Sequence, residues 1–211
     1  MSAELFEKLK QGVMGGKRKD IAALCEEGMK AGVPGKDMLN NGLLAGMQEV
    51  GKRFRAGEFY IPEVLVAARA MNAGLEVIKP DLAANPAEKC GKVILGTVAG
   101  DLHDIGKNLV GIMLTGAGFE VMDLGIDVTP AKFVEAATKE DVHAVAMSAL
   151  LTTTMVNMKE VVEKLKAGGF KGKVIIGGAP VTQEFAEKIG ADLYAADAAE
   201  GAEKLKAAIA A

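Results

Sequence analysis

Between residues 101 and 106 the chain reads Asp-Leu-His-Asp-Ile-Gly, a concentration of residue types from which a reactive or binding site is made. His103 is one of only two histidines, so its placement between Asp101 and Asp104 calls for a reason. Gly106 closes the stretch before Lys107. One use would be a phosphate cradle, but Gly100 and Gly106 enclose five residues, one too many for a Walker loop. Asn108 also stands where that loop needs Ser or Thr for magnesium. The G-x-G-x-x-G of dinucleotide binders is missing as well. A second use would be zinc, to which Asp101, His103 and Asp104 could contribute. A tetrahedral set needs more, and His143 lies in a different segment, before the third strand-like run. The plainest use is a helix N-terminus, with Asp as cap and His as a hydrogen-bonded bystander.

The flanking segments say where such a loop would sit. KVILGTVA precedes it and NLVGIMLTGAGF follows, a strand-like run and then a helical one. FEVMDLG, VHAVAMSAL, KVIIGGAP and ADLYAAD are further strand-like runs. Helical stretches are predicted near 107–117, 130–138, 154–167, 182–189 and 198–209. This alternation predicts βαβ units, a parallel sheet and helices on both faces. Five strands fit the flavodoxin-like doubly wound fold, whose ligands bind beyond the carboxyl ends of the strands. The first strand delivers His103 to that edge.

Upstream the pattern is helical throughout. Amphipathic segments cover 3–11 and 18–31, and Gly32-Val33-Pro34-Gly35 stops the second. Leu39, Leu43, Met47, Val50 and Phe54 recur at helical spacing. Pro62 suits the first turn of a last helix, with Val64, Leu65, Ala68, Met71, Leu75 and Ile78 as its buried face. A four-helix bundle follows from this. Residues 80–91, PDLAANPAEKCG, read as a linker, which gives a helical domain over 1–88 and a sheet domain over 89–211.

Composition narrows the class. Half the residues are apolar, enough for a real core. The net charge of −3 and the lack of a basic block argue against nucleic acid and against a polybasic membrane contact. No apolar run is long enough for a bilayer, and the N-terminus contains acidic residues and lacks a signal-peptide core. Cys25 and Cys90 fit no metal spacing and read as reduced thiols of a cytoplasmic protein.

Asp101-x-His103-x-x-Gly106, then Ser148-x-Leu150, then Gly177-Gly178, fall at the ends of the first, third and fourth strands. This combination resembles the cobalamin-binding module of corrinoid methyltransferase proteins, which methionine synthase and some mutases share. GMQEVGKRFRAGEFYIPEVLVAARAM resembles the helical cap of methionine synthase and of small corrinoid proteins of methylamine, methanol and betaine metabolism. The resemblance therefore covers nearly the whole chain.

It implies a cobalamin or related corrinoid cofactor with His103 as lower axial cobalt ligand, in place of the cofactor's own benzimidazole. Asp101 is then expected to accept the other ring N–H, and Gly106 to let the corrin approach. Asp104 and Ile105, in the same loop, are also expected at the cofactor. Ser148 and Leu150 are expected to line the nucleotide tail, with Gly177 and Gly178 leaving room, and Thr152 is also expected at the cofactor. Tyr194, Asp197 and Ala198, in YAADAA, are a candidate floor. Thr154 stands where methionine synthase has a serine extending the His–Asp relay. Thr152 and Thr153 are nearby alternatives, and the threonine run would serve equally to begin a helix. Phe54, Ile61 and Val64 match residues over the upper corrin face, or else are ordinary bundle core. His143 is expected in a solvated connector.

The function implied is a methyl carrier. A substrate-specific methyltransferase places a methyl group on Co(I), and an acceptor methyltransferase removes it from methyl-Co(III) to tetrahydrofolate or a thiol. A reductive activase is a third expected partner. With no TIM-barrel substrate domain, the chain is expected to have no turnover alone. Two other classes share the module. A cobalamin-sensing regulator would carry a DNA-binding domain, but this chain starts almost at the cap. A mutase subunit would lack the cap.

Overall fold

The computed structural model describes residues 2–84, 90–139 and 141–210. The chain divides into two compact units, residues 1–88 with 116–118, and residues 89–115 with 119–211. The first is helical: α1 (Ser2–Met14), α2 (Arg18–Lys30), α3 (Gly35–Met38), a π-helical segment (Leu39–Leu44), α4 (Ala45–Arg55) and α5 (Ile61–Ala84). Helix α2 packs along α5, and α1 packs against α2 and α4. The apolar stripes of these helices supply Leu9, Ile21, Met38, Leu43, Met47 and Ile78, all at most 1% exposed. Glycines set how closely the helices cross. A Cβ on Gly42 would lie 2.8 Å from Leu9, and one on Gly74 2.8 Å from Ile21.

Three details depart from the sequence expectation. The rod from Gly35 to Arg55 contains the π-helical segment Leu39–Leu44, whose Asn40, Asn41 and Gly42 have weak α preference, and Met38 and Gly42 are buried in addition to the expected stripe. Leu65 is exposed rather than buried, while Val64, Ala67, Ala68 and Met71 carry the buried stripe. Helix α5 runs through Pro80 to Ala84, beyond the expected linker start. The Asp81 carboxylate accepts the Gly35 N–H at 2.8 Å, which ties this last turn to the start of α3. The middle of the expected linker, residues 85–89, lies outside the described residues.

The second unit alternates strand and helix: β1 (Lys92–Thr97), α6 (Ile105–Gly116), β2 (Glu120–Asp123), α7 (Pro130–Ala137), β3 (Val142–Ser148), α8 (Thr152–Met155), α9 (Asn157–Ala167), β4 (Lys173–Gly177), α10 (Gln183–Ile189), β5 (Leu193–Ala195) and α11 (Ala198–Ala210). The expected 154–167 helix is thus two pieces, α8 and α9. All neighbouring strands are parallel, in the order β2-β1-β3-β4-β5. That is the flavodoxin-like order, with its switch point between β1 and β3. The central strands are buried on both faces, hence their nearly unbroken apolar runs. Gly96 interrupts β1 for a reason: a Cβ there would lie 2.8 Å from the Phe133 ring of α7, which fills the core. Thr97 and Ser148 sit in register at the carboxyl ends of β1 and β3, so the loops after them meet at the switch point.

His143 belongs to β3 and not to a connector. Its Nδ1 lies 3.2 Å from the Lys92 N–H of β1 and 2.7 Å from the Asp141 carbonyl. A neutral Nδ1 can accept the first or donate to the second, so the tautomer selects one.

Candidate functional site

Asp101 is the hub of the carboxyl-end loops. It is completely buried and carries a carboxylate on the β1–α6 loop. Its Oδ2 accepts the Leu150 N–H at 2.8 Å, the Leu151 N–H at 3.3 Å and the Thr154 hydroxyl at 2.6 Å. Its Oδ1 lies 2.7 Å from His103 Nδ1 and accepts the His103 N–H at 3.1 Å. Burial pushes the carboxyl upward. The hydrogen bonds from Thr154, Leu150 and His103 outweigh that and hold it well below the usual carboxylate range. An ionised carboxylate only accepts, so His103 carries its proton on Nδ1. The Nε2 lone pair is then unclaimed by any described residue, on a side chain that is half exposed.

Thr154 Oγ1 also lies 3.0 Å from the Leu151 carbonyl, but it has one proton, and the nearer, charged acceptor takes it. Thr152 and Thr153 are exposed and not bonded to Asp101. The threonine run therefore begins α8 and reaches the carboxylate as well.

The rest of the loop is held by residues that sequence reasoning missed. Thr97 donates to the His103 carbonyl at 2.9 Å, and Asn157 donates to the Ala99 carbonyl at 2.7 Å. Asp127 accepts the Gly100 N–H at 2.7 Å and donates its own N–H to the Asp101 carbonyl at 3.1 Å. The Lys107 ammonium is 3% exposed, pairs with Asp123 and donates to Asn108 at 2.7 Å. Lys107, beside the motif glycine, was the only one of these with a sequence signal. The others act on main-chain atoms, Thr97 from six positions away and Asp127 and Asn157 from segments remote in sequence.

Other expected residues fall on the same edge with different duties. Asp104 accepts from Asn108 at 3.1 Å in the first turn of α6. Ser148 ends β3, and its carbonyl accepts the Val98 N–H at 3.1 Å. Gly177 and Gly178 are required by the protein itself. A Cβ on Gly177 would lie 2.9 Å from the Ala195 carbonyl, and Gly178, at φ +125°, admits no side chain beside Ala149. Asp197 caps α11 by accepting the Glu200 N–H at 2.8 Å, and Ala198 is buried. Tyr194 is half-buried, with the Lys204 ammonium 5.9 Å from its ring centre. In the helical unit Phe54 is half-buried, Ile61 is 40% exposed and Val64 is fully buried.

These residues fit a corrinoid. Gly106 is the informative glycine, because a Cβ there would meet nothing within 4 Å. Neither packing nor backbone conformation explains its lack of a side chain, whereas a large flat group approaching from outside does. Around it, Leu102 and Ile105 are 68% and 69% exposed, and Leu150 and Leu151 are 44% and 42% exposed. Large apolar side chains left open around a half-exposed imidazole suit a hydrophobic ring system with a metal at its centre.

Comparison with known proteins agrees. A B12 binding domain family matches residues 91–206, and a second family of the same description matches residues 5–79. Trimethylamine corrinoid protein 1 of Methanosarcina mazei is 44% identical over 98% of this chain and 97% of its own length. The chain belongs to the methyltransferase corrinoid proteins. Dimethylamine corrinoid protein 2 of the same organism is 43% identical, over 96% of both chains. Among solved structures, the methanol:cobalamin methyltransferase complex MtaBC from Methanosarcina barkeri matches with a TM-score of 0.89 at 32% identity. That match covers 98% of this chain and 80% of the other. This corrinoid protein is a methyl carrier whose cofactor is a corrinoid. No helix among its described residues is long and apolar enough to cross a membrane.

Proposed function

We propose that this corrinoid protein passes methyl groups between two methyltransferases, with His103 as lower axial ligand of cobalt. One observation carries the reading: Asp101 engages Nδ1 of His103, and no described residue engages Nε2. The corrinoid supplies a cobalt that takes a methyl group and gives it up. The chain's residues bind and orient. Asp101 fixes the tautomer and strengthens the imidazole as a donor. Thr154 and the Leu150 and Leu151 N–H groups hold Asp101 for that task. Gly106, Leu102 and Ile105 receive the ring, with Asp104 at the same helix start. The nucleotide tail is assigned to the edge bordered by Ser148, Leu150, Thr152, Gly177, Gly178 and Tyr194, with Asp197 and Ala198 at the start of α11.

Phe54, Ile61 and Val64 of a helical domain ending at residue 88 are proposed to cover the upper face. The family matches, which end at 79 and resume at 91, support that boundary. Likeness to a methyltransferase complex supports a substrate-specific methyltransferase as partner. An acceptor methyltransferase, passing the methyl group to tetrahydrofolate or a thiol, completes the cycle. A reductive activase restores oxidised cobalt, and a cytoplasmic setting suits a reduced centre. Similarity to tri- and dimethylamine corrinoid proteins supports a methylated amine as donor.

Two measurements test this. Electron paramagnetic resonance of the Co(II) protein should show nitrogen coupling that His103→Ala abolishes; unchanged coupling rejects His103. Methyl transfer from tri-, di- and monomethylamine, methanol and glycine betaine, with each candidate methyltransferase added in turn, identifies the donor. Transfer from methanol or betaine alone overturns the amine assignment.

A further inference from the structure

Asp127 lies in the β2–α7 connection, in a stretch (Leu124–Thr129) without a recognisable motif. It is one of two non-glycine residues with positive φ among the described residues, at +51°. Its carboxylate accepts the Gly100 N–H at 2.7 Å, and its own N–H donates to the Asp101 carbonyl at 3.1 Å. One residue thus grips the main chain on both sides of the Gly100–Asp101 pair, at the Ala99–Gly100 peptide and at the Asp101 carbonyl. Gly100 itself has φ +79°, so the peptide presented to Asp127 is in a conformation that the loop must be held in. Parallel contacts between Val98 and Val128 place the two loops side by side.

The residue type follows from the two demands. Left-handed backbone is tolerated by Gly, Asn and Asp. Of these, only Asn and Asp also carry a short side-chain acceptor. The carboxylate of Asp101 is fixed by its partners on the β3–α8 side, and its main chain by Asp127 on the β2–α7 side. The direction of the His103 ring depends on both, through the bond from Asp101 Oδ1 to Nδ1.

We infer that Asp127 is a positioning residue for the lower ligand: it sets the Gly100–Asp101 main chain and thereby aims His103 at cobalt. This rests on His103 being that ligand. Acceptor capacity and not charge is what the position requires, so Asn should substitute and Gly should not. Asp127→Gly permits the left-handed backbone and keeps the N–H donor while removing the acceptor, and Asp127→Asn restores the acceptor alone.

The test uses cobinamide, which lacks benzimidazole, so that any nitrogen coupling on Co(II) comes from the protein. Competition with added ¹⁵N-imidazole then reads how firmly His103 is held. Asp127→Gly should lower the half-displacing imidazole concentration about tenfold, the upper scale of one ordinary hydrogen bond. Asp127→Asn should remain near wild type. His103→Ala should show no protein nitrogen at all. Coupling absent from the wild type would reject the ligand assignment itself. An Asp127→Gly protein that resists imidazole like the wild type would overturn the positioning role, and so would Asp127→Asn failing as badly as Asp127→Gly. In the apoprotein, Gly100 amide hydrogen exchange should quicken about tenfold in Asp127→Gly. Unchanged exchange there overturns the inference without reference to any cofactor.

Discussion

The Thr154 hydroxyl stands 2.6 Å from Asp101 Oδ2, fifty-three positions away in sequence, and both groups are buried. Removing that hydroxyl leaves a buried carboxylate with one donor fewer. Thr154→Val keeps the shape and should destabilise the apoprotein by about 1.5–3 kcal/mol, the cost of losing a bond to a charged group. Thr154→Ser retains the donor and should lie near wild type. Urea unfolding of the three proteins decides, and an undiminished midpoint in Thr154→Val would show that the hydroxyl does not hold the carboxylate.

Asp101→Asn places an NH₂ where five donors converge, so one amide hydrogen faces another donor whichever way the side chain turns. The imidazole also loses its charged partner and becomes a weaker donor. In the cobalamin-loaded protein the Co(II)/Co(I) potential should move positive, because the lower valence prefers a weaker axial base. A potential that stays or moves negative contradicts the role given to Asp101.

The same carboxylate sets an acid limit. Its pKa is depressed from an ordinary 3.8, so its contribution to stability is fully present above about pH 4 and is lost as pH falls toward the depressed folded value. Between pH 5 and 2 the wild type should lose stability more steeply than Asp101→Asn, which has no proton to take up there. Parallel stability curves for the two proteins would contradict this linkage.

Much of the site was legible because its parts are local. Asp101, His103 and Gly106 lie within six positions, and strand-then-helix periodicity puts them at the end of β1. Asp127 and Asn157 were not legible, since they act on main-chain atoms of a loop remote in sequence, and no side-chain pattern encodes that. Asp197 also caps α11 through the Glu200 N–H, a duty that its expected place in the floor did not include. The π turn was missed because one inserted residue changes the burial stripe without interrupting the apolar pattern. Pro80 suggested an end to α5 that the Asp81–Gly35 bond overrides.

Cys25 offers a check on the helical unit alone. It is fully buried, and burial pushes its thiol up to about 11. The neutral thiol is the form that the fold favours, so this stabilisation holds below the ordinary thiol value of 9.0 and fades as pH rises through about 11. A disulfide reagent at pH 8 should modify Cys25 only at the rate of unfolding, as read by mass spectrometry of the Cys25 peptide. Rapid modification in native buffer would show a looser helical core than the packing of Leu9, Ile21 and Ile78 implies.

Gly106 and Gly178 separate binding from folding. At Gly106 an added methyl group meets nothing within 4 Å, and the residue lies in the first turn of α6. Gly106→Ala should therefore leave the apoprotein as stable as the wild type or more stable, by up to about 1 kcal/mol from helix preference alone. If the corrin uses that space, its binding should weaken, and larger side chains such as Val should abolish it. Gly178 is the converse. Its φ of +125° and the adjoining Ala149 backbone exclude any Cβ, so Gly178→Ala should destabilise the apoprotein before any cofactor is added. Thermal unfolding of the apoproteins and titration with hydroxocobalamin measure the two effects separately. A Gly106→Val protein that folds and binds hydroxocobalamin as tightly as the wild type would remove the corrin from that face of α6.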